Sequence, residues 1–156
     1  MAKIATNTYV DRPQLEDFIG PRHRGVLSTI RRDGRPQMSL VTMGLDTRGR
    51  IVVSTYPDRA KAANARRNAK ASVLVMSEGF NDEWVQVDGT AEVLDQPDSI
   101  EALVEYFRVI SGEHPDWDEY REAMARQGKS LIRITIDDWG PIATGGFPAR
   151  LVNNED

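Results

Sequence analysis

The fold is decided by residues 25–55, which read GVLSTIRRDGRPQMSLVTMGLDTRGRIVVST. The first residues of this stretch favour a strand and run into Asp33-Gly34, a dipeptide common in tight hairpin turns, before residues 37–45 resume an extended pattern. A second turn at Arg48-Gly49 leads into segment 50–55, which is rich in β-branched residues. The stretch therefore predicts three successive antiparallel strands.

Three more strands are predicted downstream. In segment 84–94 Val85 and Val87 fall on one face and Trp84 and Gln86 on the other, and Asp88-Gly89 interrupts the pattern as a bulge or bend. Strands that follow one another without regular alternation with helices favour an antiparallel barrel with helices outside it, and they disfavour a Rossmann fold. The six predicted strands are 25–30, 37–45, 50–55, 71–76, 84–94 and 130–136.

Two short helical segments accompany these strands. Asp11 can cap a helix that ends at Gly20-Pro21. The alanine-rich segment 60–67 contains no β-branched residue and predicts a second helix, with Asp58 near its N-cap. Both helices are short enough to connect strands rather than to form a layer of their own.

A longer helical insertion is predicted at about 98–126. Asp98 and Glu101 have the spacing of a capping box, and apolar residues then repeat at helical spacing. A chain of 156 residues suits a single hydrophobic core. We therefore expect one domain over 1–156, with flexible ends at about 1–9 and 145–156.

The composition restricts the chemistry. Because the chain has no cysteine, disulfides, thiolate metal sites and a cysteine nucleophile are excluded; His23 and His114 are about ninety positions apart and lack zinc-binding spacing. We predict no metal site and no catalytic side chain, so a bound cofactor has to supply the difficult chemistry. No apolar stretch approaches the roughly 20 residues that cross a bilayer, and no secretory signal is evident, so we expect a cytoplasmic protein without membrane partners.

The net charge of −4 conceals an asymmetry. Residues 1–75 hold 14 Lys and Arg against 6 Asp and Glu, whereas residues 76–156 hold 6 against 18. Such a division favours either an anionic ligand on the first half or complementary packing between halves of one or two chains. Nucleic acid is disfavoured, because the basic residues are not interleaved with aromatic ones and no nucleic-acid motif is present.

Residues 54–64, STYPDRAKAAN, carry the strongest functional signal. A strand gives way here to a helix whose free N–H groups and positive dipole end favour an anion. Arg59 can grip a phosphate with its planar fork, Lys61 can add a point charge, and the hydroxyl of Ser54 or Thr55 could complete the shell. The alternative is that both cations are solvated surface residues. Their place at the unfavourable end of the helix favours a ligand.

Three segments carry a resemblance to a known family. GVLSTIRRDGRPQMS, RAKAANARRNAKASVLV and SGEHPDWDEYREAM, in this order, are similar to F420-dependent enzymes of actinobacteria in the pyridoxamine-5'-phosphate-oxidase-like class, over roughly residues 20–137. The resemblance implies a mainly β fold with peripheral helices, a six-stranded antiparallel split β-barrel of the FMN-binding type. It also implies a homodimer with two cofactor sites at the interface, each using residues of both chains.

The resemblance also assigns roles to residues. Arg59 and Lys61 match the phosphate-binding cations of the family, whereas Gln37 and Ser39 match positions that line the tricyclic ring. For these two residues an exposed polar strand face is an equally good explanation, and for Trp84 packing in the core is an alternative. The local chemistry and the resemblance together predict the cofactor-binding residues Arg59, Lys61, Ser54, Thr55, Ala60, Asn64, Pro36, Gln37, Ser39 and, where the partner chain approaches, Trp84 and Gln86.

The function implied is that of an F420-dependent oxidoreductase. Coenzyme F420, a reduced deazaflavin in its active form, would transfer a hydride to an unsaturated or conjugated small molecule. One alternative within the same fold is an FMN-binding oxidase or flavin reductase. Another is a carrier or sensor that holds coenzyme F420 without turning over a substrate.

Overall fold

The computed structural model describes residues 3–152 of the chain. In that part there are nine strands: β1 (Thr6–Thr8), β2 (Arg24–Ile30), β3 (Pro36–Thr42), β4 (Gly44–Leu45), β5 (Ile51–Thr55), β6 (Lys70–Met76), β7 (Trp84–Leu94), β8 (Ser130–Trp139) and β9 (Ile142–Thr144). The helices are α1 (Arg12–Ile19), α2 (Ala60–Arg67), α3 (Ser99–Ser111), α4 (Trp117–Gln127) and α5 (Ala149–Val152). No helix among the described residues is long and apolar enough to span a membrane.

The strands form one antiparallel sheet in the order β3-β2-β6-β7-β8-β5-β4. β3 and β4 lie at opposite ends of this order, yet only the buried Met43 separates them in the chain. The sheet must therefore curl until its two ends meet, which gives a half-barrel consistent with a split barrel. The predicted architecture is confirmed at this level.

The predicted number of six strands is wrong. Segment 37–45 is divided at Met43, which turns the chain from one end of the curled sheet to the other. Strands β1 and β9 were not predicted, because three residues are too few to show the alternation that identifies a strand. They are formed by pairing with each other, and β9 also reaches Trp84 of β7.

Alternating side chains fill the interior of the curled sheet. Val73 and Val75 of β6 face inward and are fully buried, as are Val85 and Val87 of β7. A second core lies outside the sheet, where helices α3 and α4 pack on β5 and β8; it contains Val52, Leu103, Val104, Tyr120, Met124 and Leu131. The helices are therefore peripheral, as predicted.

The helix ends test the predicted caps. Asp11 caps α1 in a complete capping box with Gln14, which confirms that prediction. The predicted capping box of α3 is wrong: Asp98 has helical backbone angles and no capping hydrogen bond, and Glu101 instead pairs with Arg121 of α4 at 2.8 Å. The Glu101 carboxylate thus forms an ion pair between α3 and α4 instead of the hydrogen bond that a capping box requires.

The two ends of the chain contact each other within the described residues. The backbone N–H of Ala5 donates to the carbonyl oxygen of Phe147 at 2.9 Å, and the hydroxyls of Thr6 and Thr144 are 2.7 Å apart. Residues 1–2 and 153–156, which belong to the predicted flexible ends, lie outside the described residues. The flexibility of both ends stays a prediction.

Gly89 provides a test of the β7–β8 packing. The register of the two strands shifts between Asp88 and Gly89, which confirms the predicted bulge. A Cβ at Gly89 would collide with the carbonyl oxygen of Thr135, and a backbone atom cannot move aside as a side-chain end can. We expect Gly89→Ala to lower the free energy of unfolding by about 2–3 kcal/mol, as overpacked sites do.

Urea denaturation followed by tryptophan fluorescence measures this effect. Gly140→Ala is the matched control, because the nearest atom to its added Cβ is the Gln86 carbonyl oxygen at 4.0 Å. The control is expected to stay within about 0.5 kcal/mol of the parent. Equal stability of the two variants would contradict the close strand approach at Gly89.

Candidate anion and cofactor site

The junction of β5 and α2 leaves two backbone donors free. Arg59 is the N-cap of α2 with an extended backbone, directly after Asp58, which was predicted to lie near the cap, and no side chain caps the helix. The N–H groups of Ala62 and Ala63 both donate to the Arg59 carbonyl oxygen at 3.1 Å. Within residues 3–152, the N–H groups of Ala60 and Lys61 donate to no protein acceptor. An uncapped helix start of this kind is suited to an anion.

Positive charge surrounds this helix start. Among the described residues, neither Arg59 nor Lys61 forms an ion pair with a carboxylate. The Lys129 ammonium, which precedes β8, lies 5.5 Å from the centre of the Tyr56 ring, and the Arg59 guanidinium lies 6.0 Å from that centre. Burial and the neighbouring Arg59 charge lower the pKa of Lys61. A bound anion would relieve this unbalanced charge.

Thr55, at the end of β5, holds a hydroxyl without a partner. Its side chain is only 5% exposed, and its Oγ1 makes no hydrogen bond within the described part of the chain. Buried hydroxyls are nearly always satisfied, so this one is available to a ligand. Ser54 points the other way, because Val52, two residues earlier, lies in the core beneath α3 and α4. Of the two predicted hydroxyls, Thr55 is thus the one on the inward side with Val53.

The side chain of Asn64 is occupied by contacts within the protein. Its Nδ2 donates to Thr29 Oγ1 at 3.2 Å, and its Oδ1 accepts from Arg67 at 2.8 Å. Thr29, which is fully buried, in turn donates to Gln37 Oε1 at 3.2 Å. This chain of hydrogen bonds fixes α2 against β2 and β3. Asn64 and Gln37 therefore position the elements of the site, and no local sequence pattern identifies Thr29.

Arg66 fixes the loop in front of α2. Its guanidinium donates to the Pro57 carbonyl oxygen at 2.9 Å and to Asp95 at 2.6 Å. Ser130 also donates to Asp95, at 2.5 Å, and these two hydrogen bonds lower the pKa of the Asp95 carboxyl. The loop that carries Arg59 is thereby tied to the start of β8. Sequence analysis missed this role, since it depends on residues far apart in the chain.

The predicted ring-lining residues lie on two faces of the sheet. Ser39 is paired with the buried Leu27 and faces inward, where its Oγ has no hydrogen-bond partner within residues 3–152. Trp84 and Gln86 are paired with Met76 and Leu74 and face outward. A single chain therefore does not bring the two groups together. Pro36 is exposed at the first position of β3.

The outward side of β3, β2, β6 and β7 carries a group of exposed apolar side chains, and we call this side the outer face. Leu40 is 82% exposed, Met38 is 64% exposed and Trp84 is 39% exposed, so Trp84 is not a core residue. A cavity of about 260 Å³ opens beside Trp84, between β6 and Phe80 of the following loop. Contiguous apolar exposure of this kind is typical of an interaction surface.

The lowered pKa of Lys61 gives the site a pH dependence. Lys61 loses its proton at a lower pH than an ordinary lysine, so it becomes neutral and stops attracting an anion while Arg59 remains charged. We expect the affinity for a phosphate ester, which stays ionised over this range, to fall as the pH rises from neutral to alkaline. Isothermal titration calorimetry with FMN as the probe measures it.

Lys61→Arg is the matched control for this pH dependence. A guanidinium keeps its charge over the whole range, so the variant is expected to retain its affinity at alkaline pH. An affinity that falls equally in the parent and in Lys61→Arg would assign the titration to another group. An affinity that does not change with pH in either protein would show that Lys61 does not bind the anion.

A family model and several solved structures are similar to this chain. A family model described as pyridoxamine 5'-phosphate oxidase matches residues 12–143. A crystal structure of a conserved hypothetical protein from Mycobacterium tuberculosis is similar, with 21% identity, a TM-score of 0.71, and coverage of 90% of this chain and 89% of that chain.

Two further solved structures resemble the chain and have ligands in their names. One is named an F420 reductase, with 17% identity, a TM-score of 0.60, and coverage of 80% of this chain and 94% of that one. The other is an FAD-binding protein from Mesorhizobium loti, with 15% identity, a TM-score of 0.61, and coverage of 91% and 98%. At these identities the likeness concerns the fold.

Proposed function

Because the chain belongs to the pyridoxamine 5'-phosphate oxidase family, with its match over residues 12–143, we propose that it is an oxidoreductase that binds coenzyme F420. The cofactor's phosphate binds at the start of α2. One observation carries the proposal: among the described residues, the uncapped helix start has two free N–H groups and two unpaired cations, and Thr55 at the end of β5 has an unpartnered hydroxyl.

The donors at the α2 start fit a phosphate. Three kinds of donor lie close together in the chain at this junction: the backbone N–H groups of Ala60 and Lys61, the charged side chains of Arg59 and Lys61, and the buried hydroxyl of Thr55. Each would satisfy one or more phosphate oxygens, and the helix dipole adds to the attraction. Arg66 would hold the loop in place from its far side through Pro57 and Asp95.

When bound, the reduced deazaflavin supplies a hydride that an electron-poor carbon of an unsaturated or conjugated acceptor can take up. The chain's own residues bind and orient the cofactor. Ser39 offers its unpartnered Oγ on the inward side of β3, where β3 contacts both α2 and β5. Gln37 keeps β3 in register with α2 through Thr29. The protein thus contributes mainly position and charge, while the cofactor contributes the reactivity.

A homodimer completes the site in this proposal. Trp84 and Gln86 face away from the α2 start of their own chain, so they can serve a cofactor only if it is bound by a second copy. The outer face that carries them also exposes Met38 and Leu40. Covering these side chains with the same face of a second chain would remove apolar surface from water and place Trp84 of the partner subunit in the interface, where the family resemblance puts the cofactor.

A titration with two cofactors tests the proposal. The purified protein is titrated with coenzyme F420 and with FMN, and binding is followed by the fluorescence of each cofactor. Tighter binding of coenzyme F420, together with reduction of at least one member of a panel of conjugated acceptors by the reduced cofactor, is the expected result. Binding of neither cofactor would contradict the proposal.

Two other functions make different predictions in the same experiment. An FMN-dependent oxidase or flavin reductase would bind FMN more tightly and would retain its absorbance after purification; the FAD-binding protein of similar fold favours this candidate. A carrier or sensor would bind coenzyme F420 tightly without reducing any acceptor of the panel. The F420 reductase of similar fold favours the enzyme over the carrier.

A further inference from the structure

The cavity of about 260 Å³ beside Trp84, which we call the Phe80 cavity, has aromatic and aliphatic walls. Leu74 and Met76 of β6 line it together with Phe80 and Trp84. The Phe80 side chain is 91% exposed, so no other part of the described chain covers this ring. The volume of the cavity is near the lower end of the range for ligand pockets, which begins at about 300 Å³. The Phe80 cavity therefore suits a small aromatic molecule that packs against the two rings.

The loop that carries Phe80 is fixed at its base. The Nε of Arg22 donates to the hydroxyl oxygen of Ser77 at 3.1 Å, and this hydroxyl donates to the Glu83 carbonyl oxygen at 2.5 Å. The Arg22 guanidinium also lies 3.6 Å from the centre of the Phe18 ring. The two ends of the loop are thereby held together, so contacts within the protein keep the cavity in shape.

Two residues that line the Phe80 cavity carry negative charge. Asp82 and Glu83 are both exposed, and neither forms an ion pair among residues 3–152. The Asp82 carboxylate lies against Gly79, which also lines the cavity. The Lys3 ammonium donates to the Asn81 carbonyl oxygen of this loop and pairs with neither carboxylate. Since no lysine, arginine or histidine is among the lining residues, the cavity attracts a positively charged group and repels a negatively charged one.

From these walls and charges we infer that the Phe80 cavity is the pocket for the hydride acceptor, and that this acceptor is a planar aromatic cation with a charged ring nitrogen. The inference rests on the proposed function, in which Trp84 lies in the subunit interface beside the cofactor. A cation over the face of an aromatic ring is attracted by that ring, which adds to the attraction of the carboxylates. Such a ring system also contains the electron-poor carbon that hydride transfer requires.

Hydride transfer changes the charge of such an acceptor. The electron pair of the hydride forms a C–H bond at the electron-poor ring carbon, and a pair of ring π electrons passes to the cationic nitrogen. The acceptor is thereby reduced to a neutral molecule, while loss of the hydride and of one proton to solvent oxidises the cofactor. Because the product is neutral, Asp82 and Glu83 attract it less than the substrate and favour its release.

Binding of three ligands that differ in charge tests the inference without the cofactor. The N-methylacridinium cation, neutral acridine and the acridine-9-carboxylate anion are titrated at mildly alkaline pH, and the fluorescence of each ligand reports its binding. The proteins are the parent, Asp82→Asn/Glu83→Gln and the control Glu119→Gln/Glu122→Gln, which removes two exposed carboxylates from α4. We expect the parent and the control to bind the cation about tenfold more tightly than acridine, and the anion more weakly than acridine. The cavity variant is expected to bind the cation and acridine alike.

Phe80→Ala tests the aromatic wall separately. Because the ring is exposed, its removal is expected to leave the thermal midpoint of unfolding unchanged. It is also expected to weaken the binding of all three ligands about fivefold, since each loses the same ring contact. If Phe80→Ala binds the cation as tightly as the parent does, the ligand does not occupy the cavity and the inference fails.

A kinetic measurement tests the role as acceptor pocket. With reduced coenzyme F420, the parent is expected to reduce N-methylacridinium faster than the reaction without protein, and Asp82→Asn/Glu83→Gln to have a KM raised about tenfold. If coenzyme F420 and the cation both bind and the rate stays at that of the reaction without protein, the cavity is not the acceptor pocket.

The remaining outcomes separate the inference from the function on which it rests. If the parent binds the three ligands alike, or if the cavity variant keeps the full preference for the cation, the inference fails while the proposed cofactor site stands. If the control loses the preference as well, the effect is one of net charge and the inference fails. If coenzyme F420 does not bind, the proposed function and the acceptor role are contradicted together, whatever the acridines do.

Discussion

Substitution of both Arg59 and Lys61 by alanine is expected to weaken the binding of coenzyme F420 by roughly 100-fold or more. Hydrogen bonds to charged groups contribute about 1.5–3 kcal/mol each, so the loss of two comes to at least about 3 kcal/mol. Neither side chain has an ion pair among the described residues, so its removal leaves no carboxylate unpaired. The fold should therefore remain intact, and fluorescence titration at constant salt measures the effect.

The control for this variant separates the site from net charge. Arg48→Ala/Arg126→Ala removes the same two charges from exposed positions whose side chains form no hydrogen bond within the described part of the chain, and we expect less than a threefold change in affinity. The thermal midpoint of unfolding is measured for both variants. If the folded Arg59→Ala/Lys61→Ala protein binds coenzyme F420 with full affinity, the phosphate binds elsewhere in the protein.

Leu40→Glu is expected to convert the proposed dimer to a monomer. Leu40 is 82% exposed at the β3 end of a row that continues through Val26 to Leu74 on the outer face. In a symmetric interface the substitution occurs twice, and each buried carboxylate costs several kcal/mol. Size-exclusion chromatography with light scattering should give a mass near 17.5 kDa in place of about twice that value.

The same variant links assembly to binding. If Trp84 and Gln86 of the partner subunit complete the site, the monomer should bind coenzyme F420 at least tenfold more weakly. Ala125→Glu on α4 is the control, since it adds the same charge on an exposed helix position away from the outer face. A parent protein that is itself a monomer, or a monomeric variant with unchanged affinity, would contradict the shared site.

The parts of the fold that sequence analysis predicted depend on local signals. The Asp33-Gly34 turn, the bulge at Gly89 and the N-cap at Asp11 are each determined by neighbouring residues. Strands β1 and β9 carry no such signal, because they exist through pairing between the two ends of the chain. The division at Met43 was also missed, since the need to curl the sheet is a property of the whole strand order.

Some residues of the candidate site likewise have a local sequence signal, and others do not. Arg59, Lys61 and Thr55 were predicted because a strand-to-helix junction with two cations is contiguous in sequence. Lys129 is more than sixty positions away and comes to Tyr56 only through the pairing of β5 with β8. Thr29 is a similar case, because no sequence pattern around this strand residue predicts its hydrogen bond to Asn64 of α2.

The most direct test is a crystal structure of the protein with bound coenzyme F420. We predict that its phosphate lies within hydrogen-bonding distance of the Arg59 and Lys61 side chains and of the Thr55 hydroxyl, at the start of α2. We also predict that Trp84 of the partner subunit lies beside the ring system. A phosphate bound away from α2, or a site formed by one chain alone, would contradict this assignment.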